Sequence, residues 1–381
     1  MIHIYCLNNG ITKDFPKGVS LREIYDGLGL EMPYGPIAAR VNNRVHSLAL
    51  RLYRHKDVEF IDITTDDGMR MYVRSLTFIF MKAMNEVFPG EIVRFENAIS
   101  KGYYCRKDTP LSDEQVALVR DKMQRIIKSD IPFKRIECHT EEAIEQFRSV
   151  GRTDKVKLLE TYDRLYTSYY ELDGYIDSYY HGLVPSTGYI GLFEIERFAD
   201  GVLLRVPSKE RPNELEDKVP QDKLQDLFEE RLAWHQRMGV ETIGDFNKGV
   251  RSGYGIDLVN VSEVLQERRL SRIADEIQAR GARVVLIAGP SSSGKTTFSK
   301  RLSVQLLACG LRPYAISLDD FFVNRTHTPR KPDGDYDFES LYSIDLPYFN
   351  ESLTKILAGE EVDLPYYNFV TGEREYRGNR Q

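Results

Sequence analysis

Residues Val284–Lys300 read VVLIAGPSSSGKTTFSK: a β-branched apolar run, a turn rich in glycine and serine, then a helix opening on Lys295-Thr296-Thr297. The spacing is Gly289, four residues, and Gly294-Lys295-Thr296, the pattern of a phosphate-binding loop. Physical chemistry asks for these residue types. Gly289 and Gly294 permit backbone angles that a Cβ obstructs, so the N–H groups of Ser291, Ser292, Ser293, Gly294, Lys295, Thr296 and Thr297 can converge on one anion. The helix opening at Lys295 adds the positive end of its dipole. Lys295 has the reach for β and γ phosphates, and the Thr296 hydroxyl suits Mg²⁺. The run Val284, Val285, Leu286, Ile287 predicts the strand before the loop. Phe298, Leu302 and Leu306 predict the inward face of the helix after it. This arrangement implies a bound nucleoside triphosphate.

Composition sets outer limits. The chain has 381 residues, more than one ordinary domain, with 41% hydrophobic and 29% charged residues, as in soluble globular proteins. A net charge of -6 provides no global basic field for nucleic acid. Cys6, Cys105, Cys138 and Cys309 form no C-x-x-C pair, which speaks for a reducing, cytoplasmic setting and against a structural zinc site. The opening MIHIYCLNNG has no basic region and no long apolar core, and no run is long enough to span a membrane.

Further along the chain, IHIYCL and ITKDF flank Asn8-Asn9-Gly10, a hairpin signal. Ser20-Leu21-Arg22-Glu23 is a capping box that opens a short helix. IAARV and RVHSL flank Asn42-Asn43, and VEFIDI makes a last strand. The order predicts a ubiquitin-like β-grasp domain over residues 1–65. Residues 66–206 read as an α+β domain: the helical MYVRSLTFIFMKAMNEVF, a hairpin around GYYCR, and a helix over 113–129 with Val116, Val119, Met123 and Ile127 inward. IPFKRIECHT, a helix from Glu141 and the loop Val184–Gly188 follow. Residues 207–282 read as a proline-punctuated linker, PSKERPNELEDKVP, and two helices. The first carries Leu224, Leu227 or Phe228, and Leu232 on one face. A second capping box, Asn260-Val261-Ser262-Glu263, announces the other. Residues 283–381 form the α/β domain of the phosphate loop, so the whole is multidomain, α/β and α+β.

The first 205 residues resemble the N-terminal half of threonyl-tRNA synthetases, a TGS domain and an editing-type second domain. The resemblance rests on the β-grasp order, DGMRMYVRSLTFIFMKAMNEVFPGE, SKGYYCR and VPSTG. It places that family's H-x-x-x-H pair on Arg74 and Phe78, and its C-x-x-x-H on Tyr179 and Leu183. None is His or Cys, so neither metal binding nor positioning of a hydrolytic water is expected. The nearby His181 reads as a surface residue. The resemblance thus implies a non-editing module for binding, docking or dimerisation, and detectable hydrolysis of mischarged threonyl-tRNA by residues 1–205 is not expected.

Residues 283–381 resemble the uridine kinase and phosphoribulokinase family of P-loop kinases, with their parallel-sheet fold. The match rests on the loop, AISLDDFF at Ala315–Phe322, YDFESLYSIDL at Tyr336–Leu346 and LAGEEVDLPYYNFVTGER at Leu357–Arg374. It implies ATP and Mg²⁺ as cofactors and a nucleoside-like acceptor. Asp319 becomes the base for the acceptor hydroxyl, with Asp320 the adjacent candidate and helix capping the competing role for either. Phe322, Phe338 and Tyr367 become acceptor-site aromatics, or plain core, and Glu339 a contact to ribose hydroxyls. Gly372 stands where pyrimidine kinases of the family carry a base-reading His. The chain reaches Gln381 before the strand with an acidic metal-site residue and before the arginine-rich lid. Weak ATP binding and little transfer are therefore expected of residues 1–381 alone.

Two other function classes compete. TGS domains also accompany GTPases and stringent-response enzymes, which makes a nucleotide-switched RNA- or ribosome-binding protein an alternative. Neither N-K-x-D nor D-x-x-G follows Thr296, however, and the cations of residues 1–65 nearly balance the carboxylates. A kinase fold kept as a nucleotide sensor is the other. A kinase whose N-terminal half regulates it, or holds it in a homo-oligomer, leads.

Overall fold

The computed structural model describes residues 1–376. The chain is a mixed α/β protein divided into two compact units, residues 1–255 and Ile256 onward.

The first unit opens with a five-stranded sheet in the spatial order Ile11–Phe15, Ile2–Cys6, Lys56–Ile61, Ala38–Val41, Arg44–Ser47. The central pair, Ile2–Cys6 and Lys56–Ile61, is parallel, and its neighbours are antiparallel. Asn42 and Asn43 both take positive φ, 52° and 59°, the turn that matches strand twist in a two-residue hairpin. Ser20 and Glu23 form the reciprocal cap of helix Leu21–Leu28, which buries Leu21 and Ile24 against Ile2, Ile4 and Phe60.

The 22-residue helix Asp66–Val87 comes next. Thr65 caps it through the Gly68 N–H. A Cβ on Gly68 would lie 1.8 Å from the Asp62 carbonyl oxygen, so glycine is needed there. Tyr72, Leu76, Phe78, Ile79, Phe80 and Ala83 are all at most 2% exposed. On this helix pack a four-stranded antiparallel sheet (Glu194–Phe198, Gly201–Arg205, Gly102–Lys107, Val93–Ile99 in spatial order), helix Asp113–Lys128, and a three-stranded sheet of Lys134–His139, Tyr166–Leu172 and Tyr175–Asp177. Ser75, fully buried, donates to the Met71 carbonyl and accepts the Val184 N–H, which pins the loop Val184–Gly188 to the helix.

Three expectations change. Residues 207–220 have no regular structure but are tied to the first unit: Lys209 pairs with Asp66, and the Ser100 hydroxyl donates to the Val219 carbonyl. Helix Ile243–Arg251, opened by a Thr242–Asp245 capping box, lies where none was expected. Asn260–Glu263 does not start a helix, because helix Gly255–Arg280 runs straight through it. Ser262 Oγ donates to the Leu258 carbonyl one turn back instead of capping.

In the second unit, Leu270 and Ala274 of that helix pack with Leu302 and Leu306 of helix Lys295–Ala308. The run at Val284 departs from the parallel-sheet expectation. Residues 284–290 and 311–317 carry no strand pairing, and Val284, Val285 and Leu286 are 41%, 41% and 83% exposed. A parallel strand gains its stability from hydrogen-bonded neighbours and helices on both faces, and no strand lies beside this run among the described residues. Among the described residues, the sheet of this unit is the hairpin Pro365–Asn368 with Glu373–Tyr376.

Two electrostatic anchors of the first unit yield measurable consequences. Asp177, 4% exposed, sits 3.1 Å from Arg152 and 2.9 Å from Lys155. Burial works against the Arg152 charge, but the hydrogen bond to Asp154 and the field of Asp177 outweigh it and hold its pKa above the ordinary value. Asp177→Ala removes the buried carboxylate that Lys155 and Arg152 share, leaving Asp154 as the partner of Arg152, and is expected to cost about 1–3 kcal/mol in denaturant unfolding.

Asp245 binds Lys157 at 2.7 Å. Burial raises its pKa, but the bonds from Lys157 and Thr242 win and depress it below 3.8. A depressed folded-state pKa means the contribution is whole above 3.8 and fades as pH falls through the lower folded value. Hydrogen exchange in helix Ile243–Arg251 is expected to quicken in that acid window, and Asp245→Asn to remove the dependence.

Candidate active site

Each residue of the phosphate loop has a visible geometric task. Gly294 adopts φ 87° and is the N-cap of helix Lys295–Ala308 without any side-chain cap, so the first N–H groups of the helix stay open to an anion. Ser292 takes φ 59°, which turns successive N–H groups inward. At Gly289, a Cβ would lie 2.7 Å from Ser293 Oγ, so the bare glycine leaves the cradle its room. Lys295 Nζ donates to the carbonyl oxygens of Gly289 and Pro290, both at 2.9 Å, and so folds across the loop. Ser291, Thr296 and Thr297 are exposed at its rim. An uncapped helix start, a cradle with room and an adjacent hydroxyl suit a phosphate chain with its Mg²⁺.

Asp319 and Asp320 lie on the short 3-10 turn Leu318–Phe321 and separate in role. Asp320 Oδ1 accepts the Tyr367 N–H at 3.3 Å and so ties the turn to strand Pro365–Asn368. Asp319 is exposed, and no hydrogen bond or ion pair engages its carboxylate among the described residues. Among the described residues, neither carboxylate accepts an N–H of a following helix start.

Phe322 and Tyr367 meet with ring centroids 5.5 Å apart. Tyr367 is only 2% exposed, so it supports the aromatic cluster from beneath. Phe338 touches Tyr336 instead, at 5.8 Å, and Glu339 is exposed. No ring contact or hydrogen bond joins either to the Phe322–Tyr367 pair among the described residues.

Sequence reasoning passed over several residues of this region. Phe369, 58% exposed, completes the trio at 5.1 Å from Tyr367 and 6.3 Å from Phe322. Arg374 clamps the aspartate turn: its guanidinium donates to the Phe321 carbonyl at 3.2 Å and the Phe322 carbonyl at 3.0 Å, and pairs with Asp345 at 3.0 Å. Asp345 in turn caps helix Leu346–Ala358 through the Tyr348 N–H. An aspartate just before Leu-Pro at a helix start is a legible cap, whereas the arginine clamp has no local signal.

In the first unit, the four positions compared with an editing site are filled rather than open. Phe78 is fully buried and touches Phe133, Tyr175 and Tyr179, each within 5.6 Å, and Leu183 is 4% exposed. Arg74 donates to the Gly182 carbonyl; burial, then the charge of Arg70, lowers its pKa. Burial also raises the Tyr179 phenol, and the thiols of Cys105 and Cys138. A cavity of about 280 Å³ nearby is lined by Arg135, Tyr162, Arg164, Tyr166, Tyr179 and Tyr180. The Tyr162 hydroxyl donates to that of Tyr180, 2.9 Å away, and burial followed by that bond pushes the Tyr180 pKa up to about 12. The Tyr180 phenol therefore stays protonated at neutral pH and is a poor general base.

Comparison with known proteins divides the chain in the same sense. Residues 284–380 match the model of the Phosphoribulokinase / Uridine kinase family. The threonine–tRNA ligase of Desulforamulus reducens is 27% identical over 185 residues, 48% of this chain and 29% of the ligase. Those of Syntrophotalea carbinolica and Syntrophomonas wolfei are 26% and 25% identical over 250 and 247 residues, 62% of this chain and 38% of each ligase. The chain therefore spans 29–38% of the length of these relatives. It joins a threonine–tRNA ligase-like N-terminal half to a C-terminal segment that matches the Phosphoribulokinase / Uridine kinase family.

Proposed function

We propose that this protein is an ATP-dependent phosphotransferase of the uridine kinase type, which moves the γ-phosphate of ATP to a hydroxyl of a nucleoside or similar small molecule. The observation that carries the reading is the uncapped helix start at Gly294, with Lys295 folded over it, inside the segment that matches the kinase family. The N–H groups from Ser291 to Thr297 hold the phosphate chain, and Lys295 exchanges its two carbonyl partners for phosphate oxygens. The Thr296 hydroxyl would hold Mg²⁺, which supplies charge neutralisation at the phosphate oxygens. Asp319 takes the proton of the acceptor hydroxyl, whose oxygen bonds to the γ-phosphorus as ADP leaves. Phe322 and Phe369 offer ring faces to the acceptor, with Tyr367 beneath them and Arg374 fixing the turn that bears Asp319. Phe338 and Glu339 belong to the acceptor side by resemblance.

We assign residues 1–65 to a TGS-like β-grasp domain, 66–206 to a synthetase second-domain-like α+β domain, 207–282 to a connecting region, and 283–381 to the kinase segment. The five-stranded sheet with its helix supports the first assignment. The packed Phe78–Tyr179–Leu183 cluster supports a non-editing accessory role for the second. The free cysteines Cys6, Cys105, Cys138 and Cys309 support a cytoplasmic location. A second reading, a nucleotide-sensing regulatory protein whose partner binds the first half, draws on the tyrosine- and arginine-lined cavity there.

ADP release with Mg²⁺-ATP across nucleosides and small polyols tests the reading. Acceptor-dependent release is expected to fall about 10²–10⁴-fold in Asp319→Asn, with nucleotide binding kept. Lys295→Ala is expected to lose both binding and turnover. ATP binding with no acceptor-stimulated release favours the sensing module instead.

Gly289→Ala forces its Cβ against Ser293, so nucleotide affinity measured by calorimetry is expected to fall by about tenfold or more. The melting temperature is expected to hold, because the loop is exposed.

A further inference from the structure

The four-stranded sheet of the first unit has two unlike faces. Cys105, Val202 and Leu204 point into the main core, and the alternating Tyr104 and Leu203 point the other way. That outer face is crossed by residues 216–221 and then by helix Asp222–Arg237. Polar bonds hold the first part. Arg205 Nη2 donates to the Glu216 carbonyl at 2.6 Å, Lys218 pairs with Glu196 at 2.9 Å, and the Ser100 N–H donates to Gln221 Oε1 at 2.8 Å. On the helix, Phe228 packs with Ile99, Tyr104, Phe198 and Leu203, a cluster apart from the main core.

The layer between this segment and the sheet is poorly satisfied. Arg106 Nη2, Glu196 Oε1, Arg205 Nε and Gln225 Oε1 are buried there without a hydrogen-bond partner. Two are donors and two acceptors, yet the docked geometry joins none of them. Each gains a partner from water when the segment lifts, so this polar layer favours release while Phe228 opposes it.

The last turn of the helix carries a titratable group. His235 is half-buried, and the charged groups around it are Arg231, one turn back on the same helix, and Glu96 of strand Val93–Ile99. Glu96 is already bonded to Arg106 at 3.3 Å. A proton on His235 therefore meets a cation and an engaged carboxylate. Burial first, and then Arg231, lower the His235 pKa below 6.5, against the pull of Glu96. A histidine with a lowered docked-state value favours docking while neutral. Its contribution is whole above 6.5 and is lost as pH falls through the lower docked value.

We propose that residues 216–237 form a releasable strap on the outer face of the sheet, latched by Phe228 and opened by protonation of His235. Open, the strap gives Arg106, Glu196, Arg205 and Gln225 to water. The rest of the unit stays folded, because its main core lies on the other face of the sheet.

Trp234 is the sole tryptophan of the chain and sits beside His235, ring centroids 5.0 Å apart, so it reports the state of the strap. The test measures acrylamide access to Trp234 in the full chain between about pH 8 and about pH 5. Access is the readout rather than intensity, since a protonated imidazole quenches a neighbouring indole directly. Access is expected to rise about twofold or more on acidification, and hydrogen-exchange protection, corrected for intrinsic rates, to fall in residues 222–237 while it holds in helix Asp66–Val87. His235→Gln is expected to keep the strap closed across the range. Phe228→Ala is expected to open it already at the alkaline end, with exchange in residues 222–237 about tenfold or more faster and helix Asp66–Val87 still protected. Access that is flat with pH, or a rise that survives His235→Gln, overturns the proposal. So does equal loss of protection in helix Asp66–Val87, which is general acid unfolding rather than release of a strap.

Discussion

A helix buried on most of its faces must satisfy its own backbone and be covered by everything around it, and Asp66–Val87 imposes that condition on the first unit. Its N–H and C=O groups bond internally, so apolar side chains can project in most directions at no polar cost. The two sheets and helix Asp113–Lys128 are the covers. Ser75 shows how the helix also orders loops, since one buried hydroxyl both satisfies itself on Met71 and fixes the chain at Val184. The same packing bears on the positions compared with an editing site. Phe78 and Leu183 there are buried, and the Tyr179 ring packs on Phe78.

The second unit is organised around the opposite condition, polar groups left without partners. Helix Lys295–Ala308 begins with no side chain over its first N–H groups, Asp319 faces outward unpaired, and Arg325 Nε lacks an acceptor. The framework itself is satisfied: Leu270, Ala274, Leu302 and Leu306 form one apolar cluster, and Arg374 pairs with Asp345. The buried Arg325 Nε is costly unless something binds it, whereas the exposed Asp319 carboxylate is open to water.

Local signals made much of this readable from sequence. The Ser20–Glu23 capping box, the Asn42-Asn43 hairpin and the glycine spacing of the phosphate loop are short-range physics, and each appears where its residues stand. Misreadings arose where a local signal competes with its surroundings. Asn260–Glu263 has the composition of a cap, but flanking helix formers carry the helix through it and Ser262 bonds back one turn. The run at Val284 has strand propensity, yet propensity alone does not provide a neighbouring strand. The clamp of Arg374 and the bond from Arg325 to the Phe369 carbonyl depend on contacts 29 to 53 residues away, which no periodicity encodes.

Lys295 is bonded to the carbonyl oxygens of Gly289 and Pro290, so the loop already presents its cation with a pair of oxygens. On the proposed kinase reading, a phosphate would substitute one oxygen pair for another, and the ammonium would gain charge complementarity more than bonds. Recognition of this kind is blind to what lies beyond the phosphates. On that reading, the choice among adenine, guanine and the pyrimidines would belong to side chains outside the loop.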